Sequence, residues 1–153
     1  MINQQCMVIK IFRLNSDNPL PCYMTEGSSG LDLYASLPSP IEIRPGEYKC
    51  IPAGIVIALP KGYEAQIRPR SGLALKHGIT VLNAPGTVDS DYRGEIKVLL
   101  INHSATPFRV EGGMRIAQMV FAAVIKARTV EVEKLEDLDN TKRNSGGFGH
   151  TGV

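Results

Sequence analysis

Between two apolar runs, Ile79–Leu82 and Ile96–Ile101, the chain carries Asn83, Asp89, Asp91, Tyr92, Arg93 and Glu95. Carboxylates, an amide and one aromatic ring between two buried strands make the floor of a pocket. Taken alone, a solvated loop is the plainer reading. Three other stretches carry polar chemistry. Arg70 and Ser71 precede Gly72-Leu73-Ala74-Leu75-Lys76-His77-Gly78, a run of helix formers ending in Gly. Free N–H groups at a helix start attract phosphate oxygens, and Arg70 adds charge. Ser71 as a plain N-cap is the commoner use of such a residue. Arg143-Asn144-Ser145-Gly146-Gly147-Phe148-Gly149-His150-Thr151-Gly152 surrounds one ring with glycines. Gly lets backbone N–H groups approach phosphates, with Arg143 and Thr151 as further donors; a frayed terminus is the bland alternative. Asp32 and Gln118 each interrupt an apolar run. A water-facing acid and a satisfied core amide are their ordinary explanations.

The elements that must position these residues are short strands. Met7–Phe12, Leu31–Leu33, Ile41–Ile43, Lys49–Ile51, Gly54–Leu59, Tyr63–Ile67 and Pro107–Val110 are brief apolar or alternating runs divided by Gly and Pro. That punctuation predicts an all-β sandwich or barrel. Leu73–His77 predicts one short helix. Gly78–Ile101 reads as a β-hairpin, Arg115–Ile125 as a buried strand, and Thr129–Val132 as the last strand.

Composition sets the bounds. A chain of 153 residues that is 43% hydrophobic suits one globular domain with its own core. No Trp and few aromatics make that core aliphatic. Seventeen basic against fifteen acidic residues, net +2, argue against a nucleic-acid coat or a membrane surface. The three cysteines, Cys6, Cys22 and Cys50, have neither CxxC spacing nor nearby His pairs. They read as reduced structural thiols of a cytoplasmic protein, not a zinc site. The longest apolar run, Met119–Ile125, is far too short to span a membrane, and the N-terminus lacks a signal-peptide pattern.

Read together, SGLDLYA, PRSGLA, LNAPGTVDSDYRGE, GMRIAQM and RNSGGFGHTG resemble, in order and spacing, the five motifs of the trimeric deoxyuridine triphosphatases (dUTPases), from about Gly27 to Gly152. The resemblance implies a jelly-roll-like β-barrel over residues 1–136. It also implies a homotrimer in which residues 137–153 form an arm closing a neighbour's active site. The implied reaction is hydrolysis of dUTP to dUMP and pyrophosphate, with Mg²⁺ on the triphosphate. Asp89 then matches the carboxylate that activates water for attack on the α-phosphorus. Asn83, Thr87 and Val88 match the reader of the uracil edge, which Lys97 helps close, and Tyr92 matches the ring under the deoxyribose. Arg70, Ser71 and Gly72 match a phosphate-holding motif serving a neighbouring chain's pocket, and Gln118 a phosphate donor. Asp32 matches an outer-shell contact to Mg²⁺ through water, with no direct protein ligand implied. In the tail, Arg143 resembles an arginine finger, Phe148 a lid over uracil, and Gly149, His150 and Thr151 γ-phosphate contacts. Two positions depart from the family pattern: Met114 stands where Asp is common, and His150 where Ser is. A dCTP deaminase of the same fold and a non-catalytic nucleotide-binding module are the alternatives. The Gly-Phe-Gly tail separates the first from a dUTPase, and the acid at position 89 separates the second.

Overall fold

A computed structural model describes residues 7–146. Among them the chain forms eleven short strands and one helix, as its Gly and Pro punctuation predicts. The strands are β1 (Lys10–Arg13), β2 (Leu31–Tyr34), β3 (Ile41–Ile43), β4 (Tyr48–Pro52), β5 (Ile55–Ala58), β6 (Tyr63–Arg68), β7 (Ile79–Val81), β8 (Gly86–Val88), β9 (Lys97–Asn102), β10 (Phe108–Val110) and β11 (Arg115–Ala123). The helix α1 (Ser71–His77) lies between β6 and β7, and a single 3₁₀ turn covers Leu135–Asp137.

The strands make four antiparallel groups. The largest runs β2-β11-β6-β8 and the next β4-β9-β7, with β1 paired to β5 and β3 to β10. All four feed one aliphatic core. Alternation decides which side chains enter it: Ala65 and Ile67 of β6, Ile55 and Ile57 of β5, and Val98 and Leu100 of β9 point in. Each buried Ile or Leu contributes about 1.5–3 kcal/mol by leaving water.

The alternation also sends a polar residue inward. Asn102, two residues beyond Leu100, is fully buried. Its Nδ2 donates to the carbonyls of Ile43 (2.9 Å) and Thr106 (2.8 Å), and its Oδ1 accepts from the Ser104 N–H (2.9 Å) and hydroxyl (2.8 Å). One amide thus ties β9, the end of β3 and the turn after β9 together.

Five expectations need correction. First, β7 and β9 do pair, with Thr80 opposite Ile101, but the segment between them is more than a hairpin loop. Its middle forms β8, which leaves for the other sheet and pairs with β6. Second, Thr129–Val132 forms no strand: residues 124–134 have no regular structure, stand exposed and pair with none of the described strands. Third, Ser71 is the first helical residue and not the cap. Arg70 occupies the cap in an extended conformation without a side-chain capping bond. The helix ends as expected at Gly78, whose φ of 63° favours glycine, and where a Cβ would meet the Ser104 backbone N at 2.9 Å. Fourth, the first strand begins at Lys10, three residues later than expected. Fifth, Cys22 and Cys50 are free but exposed, so neither is a core thiol; Cys6 lies outside the described residues.

Candidate active site

The expected site residues fall into two clefts of this chain. The first, about 330 Å³, is walled by Ser28, Ser29, Gly30, Asp32, Arg70, Ser71, Gly72, Arg115 and Gln118, with Met24 at its edge. The strand register builds it. Asp32 of β2 stands opposite Gln118 of β11, which stands opposite Arg68 of β6, so β11 presents Gln118 between both neighbours. Cross-strand partners share a face, which puts Asp32 and Gln118 on the same side of the sheet.

Asp32 does not face water. It is 8% exposed, and each carboxylate oxygen meets a guanidinium. Arg70 Nε lies 3.2 Å from Oδ1, and Arg115 Nη1 lies 3.1 Å from Oδ2. Arg70 also donates through Nη1 to the main-chain carbonyl of Arg115 at 3.1 Å. Gln118 Nε2 donates to the Pro69 carbonyl at 3.0 Å and so holds the turn that carries Arg70. Gly30 is required here. A Cβ on it would stand 2.7 Å from Gln118 Oε1 and 3.2 Å from Gln118 Cβ, pushing the amide out of place. Beside the cluster, partial burial and then a contact with Cys22 push the Tyr34 phenol up from its ordinary pKa.

The second cleft, about 170 Å³, is lined by Thr87, Val88, Asp89, Tyr92, Glu95, Ile96 and Lys97. Strand β8 ends at Val88 and delivers Asp89 into a tight turn, closed by the Tyr92 N–H donating to the Asp89 carbonyl at 3.1 Å. The Tyr92 hydroxyl donates to the Glu95 carbonyl at 3.1 Å, fixing the ring over Gly94, where any Cβ would collide with it. Glu95 is itself held, accepting from the Gly54 N–H at 3.1 Å. Asp89 is exposed at the rim, open to a ligand. One carboxylate open at the rim, a second tied to the Gly54 N–H, one fixed ring and strand backbone suit a flat polar base with its sugar.

Two expected residues line neither cleft, and four more lie beyond the described part of the chain. Asn83 lies outside the lining of both clefts, beside Gly86: its Nδ2 would sit 3.2 Å from a Cβ there. Arg143 is exposed, and its Nε donates to the Gly146 carbonyl at 2.8 Å in a turn of its own. Phe148, Gly149, His150 and Thr151 lie outside the described residues. Arg115, which is no candidate site residue in the sequence, lines the first cleft as well. The signal was available, since GMRIAQM places it three residues before Gln118. A third hollow, about 370 Å³ between Asn15, Asn18, Ser36 and Gly112, holds none of the expected residues.

The two clefts are well separated. Strands β6 and β8 run antiparallel, with Ala65 opposite Val88 and Ile67 opposite Gly86. Asp89 therefore lies past the start of this pairing, near Glu64, while Arg70 lies beyond the other end at Arg68. Six residue steps of extended chain amount to roughly 20 Å. Water activation and phosphate binding must meet within a few ångströms, so one chain does not complete a phosphate-cleaving site from these two clefts.

Comparison with known proteins gives the architecture and chemistry a lineage. The family model described as dUTPase matches residues 16–152. A deoxyuridine 5'-triphosphate nucleotidohydrolase of Ehrlichia canis (strain Jake) is 56% identical over 154 residues, covering all of both chains. One from Caldanaerobacter subterraneus subsp. tengcongensis is 56% identical over 149 residues, covering 96% of this chain and 99% of its own. Among solved structures, the dUTPase of Staphylococcus bacteriophage 80alpha with dUPNHPP superposes with a TM-score of 0.84 at 21% identity, over 95% of this chain and 99% of that one. A dUTPase from phage phi11 of S. aureus, solved to show how a structural Mg(II) ion is coordinated, gives 0.75 at 17% identity, over 84% and 99%. With the same β-rich jelly-roll-like fold, more than half its residues shared with full-length relatives, and a family match spanning both clefts, this chain belongs to the dUTPase family.

Proposed function

We propose that this protein hydrolyses dUTP to dUMP and pyrophosphate, in sites that two or more copies of the chain build together. The separation of the clefts carries this reading: Asp89 and Arg70 lie at opposite ends of the β6–β8 pairing. Two copies set side by side can bring the Asp89 cleft of one against the Arg70 cleft of the other. A homotrimer, the assembly the family resemblance implies, does this three times by rotation. The exposed apolar surface supports it. Leu75 is 88% exposed, Ile125 95% and Leu135 79%, apolar side chains that a neighbouring copy can cover.

In the mechanism, the cleft of Thr87, Val88, Tyr92 and Lys97 holds deoxyuridine. The Tyr92 ring, fixed through its hydroxyl, packs under the sugar and leaves no room for a 2′-hydroxyl. Backbone donors and acceptors of Thr87 and Val88, with Asn83 completing the turn, read the uracil edge. The close fit rejects a 5-methyl group by contact and a cytosine amino group by mismatched donors. Asp89 accepts a proton from a water held in line with the α-phosphorus. A positioned carboxylate of this kind supplies roughly 10²–10⁴ in rate. The bond to the bridging oxygen breaks, and pyrophosphate leaves with the β- and γ-phosphates.

Arg70, Ser71, Gly72 and Gln118 of the neighbouring copy receive the phosphate oxygens, where negative charge spreads in the transition state. Carried on the triphosphate, Mg²⁺ would supply further charge neutralisation beside these residues. The cleft suits that arrangement better than a bare ion. Its carboxylate, Asp32, already faces two guanidinium groups and keeps lone pairs only for the water shell of a phosphate-bound cation.

Residues 1–136 are read as the catalytic barrel and 137–153 as an arm, bringing Arg143, Phe148, Gly149, His150 and Thr151 over the bound nucleotide. Support comes from the end of the packed core at β11 and the exposure of residues 124–145. A cytoplasmic setting fits the free thiols at Cys22 and Cys50. A panel of dUTP, dTTP, dCTP and UTP with Mg²⁺, scored for pyrophosphate and monophosphate, tests the reading. Pyrophosphate from dUTP alone is expected. Ammonia from dCTP, or binding of dUTP without cleavage, would overturn it.

A further inference from the structure

We propose that Arg115 is a positioning residue for the phosphate end of the site, holding Asp32 so that Arg70 is free to meet the triphosphate. The inference rests on the dUTPase reading and extends it to a residue that carries no expected role.

Strand geometry explains how Arg115 comes to be there. In β11, Ala117 and Met119 point into the core and Gln118 points to the cleft. Strict alternation would put Arg115 on the core side with Ala117 and Met119. The register with β2 slips between them: Ala117 faces Leu33, yet Arg115 faces Tyr34, so Ile116 is an extra residue. This β-bulge turns Arg115 to the face of Gln118 and Asp32. Ile116 fills the core in its place, 1% exposed.

The result is a chain of three charges, Arg115–Asp32–Arg70, lining one cleft. Arg115 contributes twice. Its guanidinium meets one oxygen of Asp32, and its main-chain carbonyl accepts from Arg70 Nη1 at 3.1 Å. Arg70 is thereby fixed through Nε and Nη1, which leaves Nη2 for a phosphate oxygen. Charge counting explains why the second arginine matters. With Arg115, one buried carboxylate is shared by two guanidiniums and the cleft keeps a surplus positive charge. Without it, both oxygens of Asp32 are left to Arg70, whose guanidinium is drawn onto the carboxylate and away from the phosphates. In this chain Asp32 is the one acid within salt-bridge reach of Arg115 among the described residues, and the preceding position is Met114, which packs on the core.

The test compares wild type, Arg115→Gln, Arg115→Lys, Asp32→Asn and the double variant Asp32→Asn/Arg115→Gln. The readouts are dUTP turnover, its salt dependence, and competitive inhibition by deoxyuridine, which has no phosphate. Wild-type release of pyrophosphate from dUTP checks the underlying reading separately. For Arg115→Gln, KM for dUTP should rise about tenfold with kcat within about threefold, deoxyuridine inhibition unchanged and the salt dependence of KM reduced. Arg115→Lys, which restores the charge, should recover most of the loss. In the Asp32→Asn background the same Gln change should cost less than about threefold, since the partner through which Arg115 acts is gone. Unchanged KM in Arg115→Gln, equal loss in both backgrounds, or a parallel loss of deoxyuridine affinity would each overturn the proposal. Should Arg115→Gln fail to fold, the double variant, in which no carboxylate is left unpaired, should match Asp32→Asn in KM within about threefold, and a larger loss would overturn the proposal.

Discussion

If Asp89 and Arg70 act in one site from different chains, two inactive variants should rescue each other. Asp89→Asn removes the water-activating carboxylate and keeps the Arg70 cleft. Arg70→Gln removes the guanidinium from that cleft and keeps Asp89, with Asp32 still paired to Arg115. Each variant alone should turn over dUTP roughly 10²–10⁴-fold more slowly than wild type. Mixed by coexpression or subunit exchange, they form trimers of random composition. A site is intact when its Asp89 comes from an Arg70→Gln chain and its Arg70 from an Asp89→Asn chain. With a fraction p of one variant, that probability is p(1 − p), about one quarter of all sites at equal mixing. Pyrophosphate release plotted against p should trace a parabola with its peak at the midpoint. The magnitude follows from the β6–β8 register, which sets the two groups roughly 20 Å apart in one chain. Were both supplied by the same chain, no mixture could contain an intact site, and the plot would stay flat at the level of the parents. A flat plot with proven subunit exchange would refute the shared site.

Three further outcomes are expected. Asn102→Ala removes four hydrogen bonds from a fully buried amide, takes the amide donor from the Ile43 carbonyl and leaves the Thr106 carbonyl only the Ser104 hydroxyl. Urea unfolding at fixed protomer concentration should show a loss of about 3 kcal/mol or more, and a loss below about 1 kcal/mol would contradict the buried network. Tyr92→Ala should raise kcat/KM for UTP relative to dUTP; identical discrimination would assign the sugar to another residue. Removing residues 141–153 should leave the oligomer intact in sedimentation while hydrolysis falls steeply, and full activity without them would deny the arm its role.

Where the pattern was local, the sequence told the fold. Alternation in Tyr63–Arg68 and Lys97–Asn102, with Gly or Pro at strand ends, sets most strands within a residue or two. What depended on distant partners was hidden. Asp32 between two leucines reads as a surface acid because its arginines lie 38 and 83 residues away. The departure of β8 to another sheet cannot be seen in a segment that also satisfies hairpin rules. Thr129–Val132 has the composition of a strand, yet among the described residues it pairs with no other strand, and composition does not supply a partner. Arg115 escaped notice because one inserted residue reverses the face of a side chain, and nothing in the letters marks a bulge. The site itself was visible as residue types in order, while its division into two clefts needed the strand register.

The most direct test of the central claim follows the oxygen of water. Hydrolysis of dUTP in ¹⁸O-labelled water, with single turnover to prevent reworking of products, should place the label in dUMP and none in pyrophosphate. That result requires attack of water at the α-phosphorus, and if Asp89 activates that water, Asp89→Asn should slow the labelling without moving it. Label found in pyrophosphate would mean attack at the β-phosphorus, and the role given to Asp89 would be wrong.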